Sequence, residues 1–111
     1  MTQQTLESLK TEIENEIRDN KILIYTKGTQ EAPRCGFTRA ICEFFTKYGH
    51  PFTTIDILEQ PEKRQLLNEM FDWPTTPKAF IAGEFYGGND TLEEMEASGE
   101  LKTIIDTAFA S

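Results

Sequence analysis

Two thiols are present in the 111 residues, and the setting of Cys35 is the one that suits reactive chemistry. Pro33-Arg34-Cys35-Gly36 stands between a short apolar run and a segment patterned as a helix, so Cys35 is expected at a helix N-terminus. Unpaired backbone N–H groups and the helix dipole favour negative charge there, which stabilises a thiolate. The thiolate is the form of cysteine that attacks electrophiles and binds metals. Lys27 and Arg34 are expected to push the same way. Cys42 meets none of these conditions and reads as a small buried hydrophobe. Seven helical residues separate the Cα atoms of the two cysteines by roughly 10 Å, whereas a disulfide spans at most about 7 Å. The pair is therefore expected to stay reduced, and so few cysteines suit a reducing compartment.

Hydropathy spacing predicts the elements that must position Cys35. Leu6, Leu9, Ile13 and Ile17 recur at helical intervals, giving an amphipathic helix over 5–18. Residues 21–26 read as a short buried strand, and Gly28 and Pro33 mark the loop that leads to Cys35. Phe37, Ile41, Phe44, Phe45 and Tyr48 form a helical stripe closed by Gly49. A second strand is expected to open at Pro51 and run through Phe52, Ile55 and Ile57, and Pro61 fits the first turn of a third helix ending near Phe71. Trp73-Pro74-Thr75-Thr76-Pro77 must be extended, because the residue before a proline is pushed out of the helical region. Ala79-Phe80-Ile81 and Glu84-Phe85-Tyr86, around Gly83, predict a hairpin. After the Gly87-Gly88-Asn89 turn, Asp90 is expected to cap a helix containing Leu92 and Met95, with Glu93 completing the cap. Leu101, Ile104, Ile105, Ala108 and Phe109 predict a last helix.

No internal repeat or linker interrupts this order, so a single domain over residues 1–111 is expected. It belongs to the α/β class, with a four-stranded mixed sheet flanked by helices on both faces. A right-handed crossover would join the first two strands in parallel, and the hairpin would add an antiparallel pair.

A content of 38% hydrophobic and 27% charged residues fits a globular chain. The net charge of -8 argues against nucleic acid as a partner, since phosphate binding needs clustered cations. No run approaches the roughly 18 apolar residues of a membrane helix, and the first residues lack the basic opening and apolar stretch of a secretory signal. A cytoplasmic location is therefore expected. His50, between Gly49 and Pro51, reads as a solvated loop residue, and Trp73 as a packing anchor beside the reactive loop.

Lys27-Gly28-Thr29, Cys35-Gly36-Phe37-Thr38, Trp73-Pro74-Thr75-Thr76-Pro77 and Gly87-Gly88-Asn89-Asp90 occur in this order over nearly the whole chain. Together they resemble the monothiol glutaredoxins. The resemblance implies a thioredoxin/glutaredoxin-like fold, in agreement with the element order. It also implies that Pro77 is cis, an isomer the residues themselves leave open. The backbone of Thr76 would pair with the cysteinyl part of glutathione as a short added strand. By motif position, Lys27 and Arg64 would meet the glycine carboxylate of glutathione. Asn89 and Asp90 would hold its γ-glutamyl end through backbone N–H groups, with the Asp90 side chain receiving the ammonium.

In the family, two protomers share a 2Fe-2S cluster through one cysteine thiolate from each chain and the thiolates of two glutathiones. The resemblance thus implies Cys35 as the catalytic and metal-ligating residue, with glutathione and a 2Fe-2S cluster as cofactors. It implies a homodimer when the cluster is bound, a monomer without it, and iron-sulfur acceptor proteins as partners. Families with this motif often pair with small BolA-type proteins as well. The implied function is iron-sulfur cluster assembly or transfer; the alternative is a glutathione-dependent monothiol-disulfide oxidoreductase. Thr38 occupies the position of a second active-site cysteine, which excludes a dithiol mechanism. Three residues depart from the family pattern. Thr38 replaces the usual serine, keeping the hydroxyl and adding a methyl. Thr76 stands where a bulky apolar residue is common, and Asn89 where many relatives carry cysteine.

Overall fold

A computed structural model describes residues 3–110, with side chains from residue 5 onward. The elements follow the expected order: α1 (Gln3–Asp19), β1 (Ile22–Thr26), α2 (Gly36–Thr46), β2 (Thr53–Asp56), α3 (Pro61–Met70), β3 (Lys78–Ile81), β4 (Glu84–Gly87), α4 (Asn89–Ser98) and α5 (Glu100–Phe109). The four strands form one mixed sheet in the order β2-β1-β3-β4. β1 runs parallel to β2, with Leu23 opposite Thr53, and antiparallel to β3, with Tyr25 opposite Lys78. β3 and β4 form the antiparallel hairpin. Ala82 and Gly83 turn it with φ of 51° and 83°, the positive values that match the twist of the flanking strands.

β1 is buried along its length because helices cover both faces of the sheet, which accounts for its unbroken apolar character. Ile22 and Ile24 point to one face and pack with Ile41, Cys42 and Phe45 of α2, Leu92 of α4, and Leu101 and Ile105 of α5. Leu23 and Tyr25 point to the other, with Ile13 of α1, Leu66 and Leu67 of α3, and Phe80.

Several boundaries differ from the sequence expectation for identifiable reasons. β2 begins at Thr53, after a proline that has no N–H to give a ladder. Phe52 instead packs beside Phe45, and Ile57 lies past the strand, its N–H donating to Thr26 O at 2.9 Å. α4 is capped by Gly88 and not by Asp90: Leu92 N–H already donates to Gly88 O at 3.1 Å, which leaves Asp90 inside the first turn. Phe37, assigned to the apolar stripe of α2, is 66% exposed. His50 is half-buried, its ring stacked on Phe109 with centroids 4.1 Å apart.

A polar network joins α1, α3 and β1. Lys63 of α3 is 3% exposed, and its Nζ lies 2.8 Å from Glu16 and 3.1 Å from Glu12 of α1. The Tyr25 hydroxyl donates to Glu16 at 2.7 Å. Burial, reinforced by Glu16, holds the tyrosine well above its ordinary pKa, so it remains a donor. Glu16→Ala leaves that buried hydroxyl without its acceptor and Lys63 with one partner fewer. A stability loss of about 1–3 kcal/mol in urea denaturation is expected, and a loss below about 0.5 kcal/mol would contradict this reading of the network.

Candidate functional site

The loop after β1 closes on itself and delivers Cys35 to the start of α2. Gly28 N–H donates to Asp56 Oδ1 at 2.9 Å, an oxygen that also accepts from Leu58 N–H. The Thr26 hydroxyl donates to Gly28 O at 2.7 Å, and Arg34 N–H to Lys27 O at 2.9 Å. Gly28 has φ +88°, and a Cβ there would lie 2.6 Å from Ala32 O and from Arg34 N, so only glycine fits.

Cys35 is the N-cap of α2. Its sulfur accepts from Thr38 N–H at 3.4 Å and lies 3.3 Å from Thr38 Oγ1. The backbone N–H of Lys27 donates to that same Oγ1 at 3.1 Å, so the hydroxyl proton is free to point at a thiolate. Partial burial pushes the thiol up. Hydrogen bonds from the Thr38 hydroxyl and from the N–H groups of Thr38 and Phe37, with the charge of Lys27, outweigh it and leave the pKa below the ordinary value. Of the two cations expected to assist, Lys27 acts on the thiol. Arg34 is exposed and contributes its backbone to the loop. Cys42 is 5% exposed, and burial, with Glu31 and Glu43, raises its thiol. Both cysteines are free.

Beside Cys35 opens a cleft of about 580 Å³. Lys27 and Phe37 form the wall nearest the thiol, Arg64 and Asn68 of α3 a second, the 73–77 segment a third, and residues 88–91 at the start of α4 the fourth. The structure therefore brings Lys27, Arg64, Thr76, Pro77, Asn89 and Asp90 into one cleft. Cys35 itself is not on the lining but adjoins it through Lys27 and Phe37. The Thr76–Pro77 peptide bond is cis. Asn89 Nδ2 donates to Phe37 O at 3.1 Å, tying α4 to the start of α2. The Trp73 indole packs edge-on against Phe85 and closely over Gly87, where a Cβ would sit 3.2 Å from the ring. Lys27 and Arg64 form no ion pair among the described residues, in a chain with 19 acidic and 11 basic side chains. No cluster of three or more His, Cys, Asp or Glu side chains able to hold a metal occurs among the described residues.

Sequence reasoning missed three lining residues with usable signals. Asn68 lies one helical turn beyond Arg64 on α3, so the two share a face. Phe37 adjoins Cys35 and is exposed at the cleft mouth. Thr75 sits in the extended segment already singled out, between Pro74 and the cis proline.

The mixed sheet between two helical layers, with one activated thiol beside a cation-bearing cleft, defines a thioredoxin-fold thiol protein. The family described as Glutaredoxin matches residues 22–86, and the chain belongs to that family. Over 102 residues it is 37% identical to the "uncharacterized monothiol glutaredoxin ycf64-like" of Synechocystis sp., covering 92% of this chain and 95% of that protein. The solution structure of reduced poplar apo GrxS14 superposes with a TM-score of 0.84 at 36% identity, covering 96% of this chain and 99% of that one. A buckwheat glutaredoxin-glutathione complex superposes with a TM-score of 0.85, covering 97% and 96%, and its 20% identity speaks to the fold alone.

Thr38→Val keeps the side-chain volume and removes the hydroxyl that steadies the Cys35 thiolate. The midpoint of a pH-dependent alkylation profile is expected to rise by about 0.5–1 unit, the equivalent of one net hydrogen bond. Thr38→Ser should leave it near the native value, and an unmoved midpoint in the valine variant would remove the hydroxyl from the account.

Proposed function

We propose that the chain binds glutathione in this cleft and, as a dimer, carries a glutathione-ligated 2Fe-2S cluster for assembly or transfer to acceptor proteins. The observation that carries the reading is a pair of cations, Lys27 and Arg64, that have no carboxylate partner among the described residues and lie in one cleft beside a single stabilised thiolate. Glutathione has two carboxylates and one ammonium. Lys27 and Arg64 suit one carboxylate, the N–H groups at the start of α4 suit the other, and Asp90 suits the ammonium.

The cluster is cargo. It takes four thiolates, and this chain supplies one that is accessible, because Cys42 is buried. Two chains and two bound glutathiones complete the set, and half of the ligands then exchange with the glutathione pool. A reducing compartment such as the cytoplasm keeps both thiols available, and a BolA-type protein could replace one protomer.

The lowered thiol pKa favours a second activity at the same residue. The Cys35 thiolate attacks the glutathionyl sulfur of a mixed disulfide and releases the substrate thiolate. A second glutathione thiolate then attacks the Cys35 mixed disulfide, leaving oxidised glutathione and the free enzyme thiolate.

Anaerobic reconstitution with iron, sulfide and glutathione is expected to give a coloured dimer with one cluster per two chains, absent without glutathione and in Cys35→Ser. A colourless monomer under these conditions would overturn the carrier reading and leave the reductase. Lys27→Ala and Arg64→Ala should each weaken glutathione binding about tenfold by calorimetry, the scale of one charge-assisted contact; unchanged affinity in both would remove the carboxylate assignment.

A further inference from the structure

Lys78 is fully buried and, among the described residues, pairs with no carboxylate. It follows the cis proline at the start of β3, opposite Tyr25 of β1. Its Nζ donates to Asn68 Oδ1 at 2.5 Å and to Thr75 O at 2.7 Å. Both acceptors belong to residues that line the cleft, one on α3 and the other on the extended segment before Pro77. A single buried ammonium thus joins two walls of the site from behind, and both of its bonds are charge-assisted, roughly twice as strong as their neutral counterparts.

We propose that Lys78 is a positioning residue and the third cation of the cleft, whose charge braces the Asn68 and Thr75 walls and strengthens the hold on an anionic peptide ligand. This rests on the glutathione reading and adds regulation to it. Burial with no compensating carboxylate pushes the lysine down from 10.5 to about 8. Below pH 8 the ammonium holds both walls; above it the neutral amine holds them more weakly and its contribution to the potential is gone. By linkage, an anion bound in the cleft raises the pKa of Lys78 by the same free energy.

The other ionisable groups around Lys78 are identifiable. Tyr25 faces it from β1 and is hydrogen-bonded to Glu16 of α1. Lys63 of α3 is held by Glu16 and Glu12. Arg64 of α3, Lys27 after β1 and Asp90 of α4 lie on the cleft side, while Glu69 of α3 and Asp72 after it are exposed. β4 opposes the neighbouring Ala79 with a glycine, Gly87.

S-methylglutathione, whose blocked sulfur does not titrate, is the probe. Its affinity is measured by calorimetry from pH 7 to 9.5 in full-length Cys35→Ser and in the same chain carrying Lys78→Met or Lys78→Gln. The affinity of the lysine form is expected to fall about fivefold more than that of either variant, because titration of the ligand is common to all. The NMR titration midpoint of the Lys78 side chain should rise by about 0.7 unit at saturating ligand, the same fivefold factor. Parallel pH profiles in a variant with a native-like amide spectrum would overturn the proposal. If neither variant folds, the midpoint decides, and one unmoved by ligand overturns it. Absence of binding to every form at pH 7 sinks the glutathione reading itself, whereas binding with parallel profiles sinks only the role of Lys78.

Discussion

The burial of β1 between two helical layers is the constraint on which the site depends. Ile22 to Thr26 are at most 2% exposed, with parallel and antiparallel neighbours to either side. A strand fixed on both faces and both edges has one freedom left, which is where its chain goes at the end. Asp56 settles this by accepting from Gly28 N–H, so the loop turns above the end of the parallel pair and carries Lys27 to the cleft and Cys35 to the cap of α2. Shortening that path would move the thiol, the cation and the helix start together.

Electrostatics at the site run against the character of the whole chain. A surface with an excess of carboxylates offers abundant local partners for cations, and Arg18, Lys47, Lys63 and Lys102 take them. Among the described residues Lys27, Arg64 and Lys78 form no ion pair, and unlike the exposed Lys10, Arg34 and Arg39, which form none either, all three border one cleft. Holding cations apart from carboxylates in a negatively charged protein preserves their potential for an anion from outside. Of the three, Lys27 alone acts on the Cys35 sulfur, adding its charge to the hydrogen bonds from Thr38 and Phe37 that hold the thiol pKa down.

Thr38 shows how a departure from the family pattern can leave the chemistry in place. The residue is fully buried, and its hydroxyl accepts from the Lys27 N–H while facing the Cys35 sulfur. The atom that meets the thiol is the hydroxyl oxygen, the one a serine would also offer. Asn89 likewise uses its side chain structurally, donating to Phe37 O and fastening α4 to the start of α2.

Local information sufficed for much of this. Residue types and periods marked every helix and strand, placed Cys35 at a helix start and Cys42 in the core, and put the signature residues in four short motifs, because capping, proline geometry and apolar spacing act over a few residues. What depended on distant contacts was decided by the tertiary structure. The pairing of β1 with β3 brings the cis proline beside the Cys35 loop, and the packing of α4 sets Gly88 as its cap in place of Asp90. Arg64 reaches the cleft only because α3 lies across the sheet face behind it. Lys78 is the clearest case: in sequence it is one lysine before an apolar run, and its charge acquires meaning when the sheet, α3 and the proline segment close around it and remove the water that would otherwise solvate it.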